Sequence, residues 1–119
     1  MALVDNKPRV VTAPRELQFE ITLSEACVAG DQLKYDSGWK LGAANTATML
    51  VVALESGASG DKIAASPIAV LRSFSGATAG AALSSAASGA YQSGTGYTLG
   101  IFVNDTTAIF NPSNLPVAP

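Results

Sequence analysis

Asp31, Asp61 and Asp105, the single thiol of Cys27, and the glycines Gly94, Gly96 and Gly100 are the residues of this sequence whose types could do chemistry. A hard cation needs oxygen ligands at dense, regular spacing, and these carboxylates are scattered, each beside turn-forming residues. They read as turn carboxylates. Gly94-Thr95-Gly96 with Gly100 has the wrong spacing for a nucleotide loop, no Lys follows, and the next element reads as a strand rather than a helix. Cys27, between Ala26 and Val28, behaves as a small apolar group. Asn104-Asp105-Thr106 matches a glycosylation sequon, which has a use only on a secretory route. The chain has no His, so the commonest general base and metal ligand is missing, and a hydrolase triad or zinc site cannot be assembled. The expectation is a protein that is not an enzyme and holds no cofactor or metal.

The elements that must position any site are set by composition. The 119 residues are 48% apolar, with 7 Lys+Arg and 9 Asp+Glu, which suits one folded domain with one modest core. A net charge of −2 without clustered Lys and Arg argues against a nucleic-acid partner, because binding to phosphate backbones needs such clusters. A single Cys allows no intramolecular disulfide and favours a reducing compartment. No apolar run has signal-peptide or membrane-span length, so no membrane is expected as a partner and synthesis in the cytoplasm is.

Residues 1–16 hold Asp5, Lys7, Arg9, Arg15 and Glu16 around a short Val10-Val11 centre and are broken by Pro8 and Pro14, which predicts an extended arm able to add as a strand to a partner's sheet edge. Residues 17–119 form the single β-rich domain. Leu17, Phe19, Ile21 and Leu23 alternate with polar residues, as a half-buried strand does. Residues 32–41 read as a hairpin around Asp36-Ser37-Gly38, and 48–54 as a strand covered on both faces. Residues 97–103 and 106–110 are two further strands joined by Asn104-Asp105. Ala29-Gly30-Asp31-Gln32-Leu33 and Ser59-Gly60-Asp61-Lys62-Ile63 share one scheme, a short duplication that ordinary turn chemistry also produces. From Ser75 to Thr98, 20 of 24 residues are Ala, Gly, Ser or Thr, and no charge occurs between Ser73 and Asn104. Such a stretch suits a close contact between copies, a surface loop, or a short Ala-rich helix over 80–87. Short strands separated by turn residues predict an all-β barrel or sandwich.

Trp39, the only tryptophan, is a candidate interface anchor or sugar platform, and its place after a turn equally suits packing across the hairpin. Together with Tyr91 and Tyr97 it defines one functional alternative, a surface carbohydrate-binding module. Another alternative is a tail or fibre subunit of a virion.

The order of a Pro-containing arm, an alternating strand over 17–23, Gly30-Asp31 before a Trp39 hairpin, a strand ending in Val52-Ala53-Leu54, a second Gly60-Asp61 turn and a late Gly96-Tyr97-Thr98-Leu99-Gly100-Ile101-Phe102-Val103 strand resembles the small head decoration, or cement, proteins of tailed bacteriophages. The resemblance implies a homotrimer of β-tulip or β-barrel subunits at three-fold and quasi-three-fold positions on the outer surface of the expanded head, stabilising it against internal DNA pressure. It implies the major capsid protein as partner, reached by the arm: Val10 and Val11 as apolar contacts, Arg9 and Arg15 as polar ones, with Pro8 and Pro14 keeping the segment extended.

Overall fold

The computed structural model describes residues 3, 7, 10–43, 50–94 and 98–112, and among these the regular structure is almost entirely strand. The strands are β1 (Val10–Thr12), β2 (Phe19–Thr22), β3 (Gln32–Tyr35), β4 (Trp39–Leu41), β5 (Leu50–Ala53), β6 (Lys62–Ser66), β7 (Ala69–Arg72), β8 (Ala82–Ser85), β9 (Tyr91–Ser93), β10 (Thr98–Phe102) and β11 (Ala108–Phe110). They form two antiparallel sheets. The first has the order β2-β6-β5-β3-β4 and the second β1-β7-β11-β10-β8-β9. Neither sheet closes on itself, so the sandwich rather than the barrel is realised.

Apolar patterning explains the layers. β5 is buried at every position, as its continuous apolar run requires: Leu50 and Val52 point into the main core with Leu71, Leu83, Phe102 and Phe110 of the second sheet, while Val51 and Ala53 join a smaller cluster with Ile21, Leu33 and Ile63. The first sheet thus carries apolar residues on both faces, and the second packs against one of them. In β2 the expected alternation buries Ile21, followed by Leu23 just beyond the strand, but Leu17 and Phe19 remain 37% exposed. Leu17 belongs to a short 3-10 helix (Arg15–Leu17) that follows Pro14 and carries the chain from one sheet to the other.

The two sheets repeat one topology. Strands β2 to β6 in the first sheet and β7 to β11 in the second occur in the same spatial order, β2-β6-β5-β3-β4 against β7-β11-β10-β8-β9. The registers agree as well. Ile21 faces Ile63 as Leu71 faces Ala108, Leu33 faces Val51 as Leu83 faces Gly100, and Tyr35 faces Trp39 as Ser85 faces Tyr91. The duplication glimpsed in the two Gly-Asp turns therefore extends to a third turn, Ala79-Gly80-Ala81, which has Ala where the others have Asp. In all three the glycine takes a positive φ, +96° at Gly30, +94° at Gly60 and +85° at Gly80, which only glycine adopts without strain. The residue after each glycine donates its N–H three residues back, to Val28, Ala58 and Thr78.

The Ala/Gly/Ser segment is not an Ala-rich helix over 80–87, nor a surface loop along its whole length. It contains β8, which lies inside the second sheet between β10 and β9, with Leu83, Ser84 and Ser85 buried. A 3-10 helix (Ala87–Gly89) and β9 follow it. Alternation is invisible there because Ala and Ser occupy inward and outward positions alike.

Candidate functional site

The chain from 10 to 22 closes one side of the sandwich. β1 pairs with β7, placing Val10 opposite Arg72, Val11 opposite Leu71 and Thr12 opposite Val70. The stretch expected as an extended arm is thus, over these residues, an edge strand of its own chain's sheet. Val11 packs against the main core, and Arg72 Nη1 donates to Thr12 Oγ1 at 3.3 Å. Two earlier residues are held against the body too. Leu3 is buried in the main core, and Lys7 Nζ lies 2.7 Å from Asp31 Oδ1 and donates to the Ser88 carbonyl at 2.9 Å. Pro8 and Arg9 lie outside the described residues.

What this side presents to solvent begins where β1 ends. Pro14 and Arg15 are exposed, and Leu17, with Phe19 at the start of β2, the outer strand of the first sheet, adds exposed apolar surface in the same stretch. Two short hydrogen-bonded turns, Leu17 N to Pro14 O at 3.0 Å and Gln18 N to Arg15 O at 3.2 Å, fix this ridge, and Gln18 Nε2 donates to Ala13 O. A stretch that exposes a cation and apolar groups within a few residues can bind a protein surface that carries a carboxylate and an apolar pocket.

Trp39 is half-buried. It lies directly across the hairpin from Tyr35, their rings edge to face with centroids 5.3 Å apart, and it packs on the smaller cluster. Tyr91 is buried, donates its hydroxyl to the Gly30 carbonyl at 2.7 Å and meets Phe74 edge to face, so it offers no platform to a sugar. Tyr97 lies outside the described residues. Beside β4 a cleft of about 300 Å³ is lined by Glu25, Lys34, Lys40, Gly42 and Ser88. Its one carboxylate already accepts the Leu41 N–H at 2.8 Å.

Of the residues considered for chemistry, Asp31, Asp61 and Asn104 serve their own turns, and Gly96 lies outside the described residues. Asp31 Oδ2 accepts the Val28 N–H at 3.0 Å and Asp61 Oδ2 the Ala58 N–H at 2.9 Å, each closing its own turn. Asn104 Oδ1 accepts the N–H groups of Thr106 and Thr107. Cys27 is buried and unpaired; burial, reinforced by the Asp31 charge, pushes its thiol up, which keeps it from acting as a thiolate. No group of His, Cys, Asp and Glu that could hold a metal occurs among the described residues. None of their helices is long and apolar enough to cross a membrane.

Several contributors escaped the sequence reading. Leu3 in the core and the Lys7–Asp31 pair could not be seen, because a polar terminus reads as an arm. Ile101 and Ile109 lie within expected strands, and their alternation with Phe102 and Phe110 carries the signal of an outward face, as that of Val70 with Leu71 does. No protein-family model matches the chain, and comparison with curated proteins and with solved structures finds no significant match.

Proposed function

We propose that this chain is a head decoration protein of a tailed bacteriophage, which binds the outer surface of the expanded head as a homotrimer and stabilises it. The observation that carries the reading is the ridge from Pro14 to Phe19, where a cation and two apolar side chains stand exposed between the edge strands of both sheets. A cement needs many modest contacts repeated over a lattice, and a rigid sandwich with an exposed ridge supplies them without catalytic groups. Three copies of the ridge on one trimer bind with avidity, since docking of the first raises the effective concentration of the others.

In this reading the N-terminal region meets the capsid through Pro14 and Arg15, continued by Leu17 and Phe19, all of which are exposed. Leu3, Lys7 and β1 are themselves engaged with the body of their own chain. Deleting residues 1–16 is for that reason a poor test, as it removes a strand and a core residue together. The double variant Arg15→Glu/Leu17→Asp leaves every buried group in place. Wild-type protein should co-sediment with expanded, undecorated heads and the double variant should not. Wild-type protein that stays in the supernatant, or a double variant that binds as tightly, overturns the proposal.

A further inference from the structure

The duplication identifies a surface that is covered in one half of the molecule and, among the described residues, uncovered in the other. In the first sheet, the face carrying Leu50, Val52 and Gln32 is sealed by the second sheet, and all three side chains are fully buried. The register equivalence places Ile101 of the second sheet where Val52 stands in the first, and Ala82 where Gln32 stands. The same equivalence matches Val70 to Glu20 and Ile109 to Ala64. That second face turns away from the core, and no described element covers it.

Its composition departs from that of an ordinary outer face. Antiparallel sheets with one solvated side alternate apolar-in and polar-out. Here Thr12, Val70, Ile109, Ile101 and Ala82 lie side by side across five neighbouring strands, a row about 19 Å long at the usual strand spacing. Ile101 is 47% exposed and Ile109 39%; Val103, one step further along the chain on the same side, is 49% exposed. From Val70 to Ala82 the row is a contiguous apolar strip, bordered at the β1 edge by Thr12 and the exposed Arg72, and such a strip marks an interaction surface.

We infer that this face is where copies of this chain meet. Two observations select a second copy as the occupant. The equivalent face of the first sheet is covered by a sheet of the same repeat, so packing two such sheets face to face is an arrangement this chain already uses within itself. The chain is also uncharged from Ser73 to Asn104, which includes all of β8, β9 and β10, so apposed copies bring no like charges together across those strands and desolvate no ion there. The inference deepens the homotrimer reading by naming the surface that assembles it, yet it needs nothing of the capsid.

The test is sedimentation of the full chain at about 0.1 mM, where an interface of useful affinity is populated. The wild type is expected to run as an oligomer. Ile101→Asp/Ile109→Asp, both on the exposed face, should run as a monomer with unchanged far-ultraviolet circular dichroism. Should that pair disturb folding, Val103→Asp, beyond the end of β10, should raise the dissociation constant at least tenfold by itself. A monomeric wild type, or variants that keep the wild-type mass, overturns the inference. Head binding measured on the same proteins reads the decoration proposal separately, because the Arg15 ridge is untouched in them.

Discussion

Cys27 and Gly57 exchange both of their backbone hydrogen bonds, Cys27 N to Gly57 O at 2.9 Å and Gly57 N to Cys27 O at 3.1 Å. The pair sits on a local two-fold relation within the first sheet. Gly30 N donates to Ala53 O and Ala53 N to Asp31 O; reciprocally, Gly60 N donates to Leu23 O and Leu23 N to Asp61 O. The two Gly-Asp turns therefore brace each other, and each aspartate sits in the same backbone environment. They differ in burial, since Asp31 is 3% exposed and paired with Lys7 whereas Asp61 faces solvent.

That difference separates two otherwise equivalent substitutions. Asp61→Ala removes one exposed turn bond and should cost about 0.5–1.5 kcal/mol. Asp31→Ala also strips the buried partner of Lys7 and should cost about 1–3 kcal/mol more. Denaturant unfolding of both variants measures the gap, and equal losses would refute the assigned role of Asp31.

Tyr91 gives the fold an alkaline limit. Burial, helped by the nearby Asp31 charge, raises its phenol well above the ordinary value, so the native state keeps the proton while the unfolded chain ionises near pH 10. The unfolded state then binds fewer protons than the native one, and stability falls as pH rises beyond that point, by up to about 1.4 kcal/mol per pH unit from this group. Tyr91→Phe should lose about 1–3 kcal/mol at neutral pH, because the Gly30 carbonyl loses its donor, but should show a shallower decline above about pH 10. Parallel declines in the two proteins would contradict this.

Gly100 and Gly60 answer to different constraints. A side chain on Gly100 would run into the Ile109 backbone carbonyl of the neighbouring strand, which cannot move aside without breaking the β10–β11 pairing. At Gly60 there is open space, and only the +94° φ opposes substitution. Gly100→Ala should therefore cost on the order of 3 kcal/mol and Gly60→Ala about 1 kcal/mol. Thermal melts that rank them in the reverse order would show the close approach in β10 to be misassigned.

The sequence made the all-β class, the 32–41 hairpin and the buried run of β5 legible, since alternation, turn residues and continuous apolar character each dictate one outcome there. It concealed β8 and β9, because a strand of Ala and Ser has no contrast between its faces. It also concealed the repeat beyond the two Gly-Asp turns, because Ala81 replaces the aspartate and the equivalence lives in hydrogen-bond register. At the candidate site, Arg15 was visible as a charge and Pro14 as a helix breaker of a terminal segment. That Val11 belongs to the core depends on β7, a partner some sixty residues away that local pattern does not specify. Trp39 packs across its hairpin, as its place after a tight turn allowed.

The reading of this chain as a cement is tested most directly by the temperature at which DNA-filled heads rupture, measured with and without saturating protein. Decorated heads should hold their DNA to a temperature several degrees higher, and Arg15→Glu/Leu17→Asp should leave the heads rupturing as if bare. Identical rupture temperatures for heads shown to carry the wild-type protein would contradict the account.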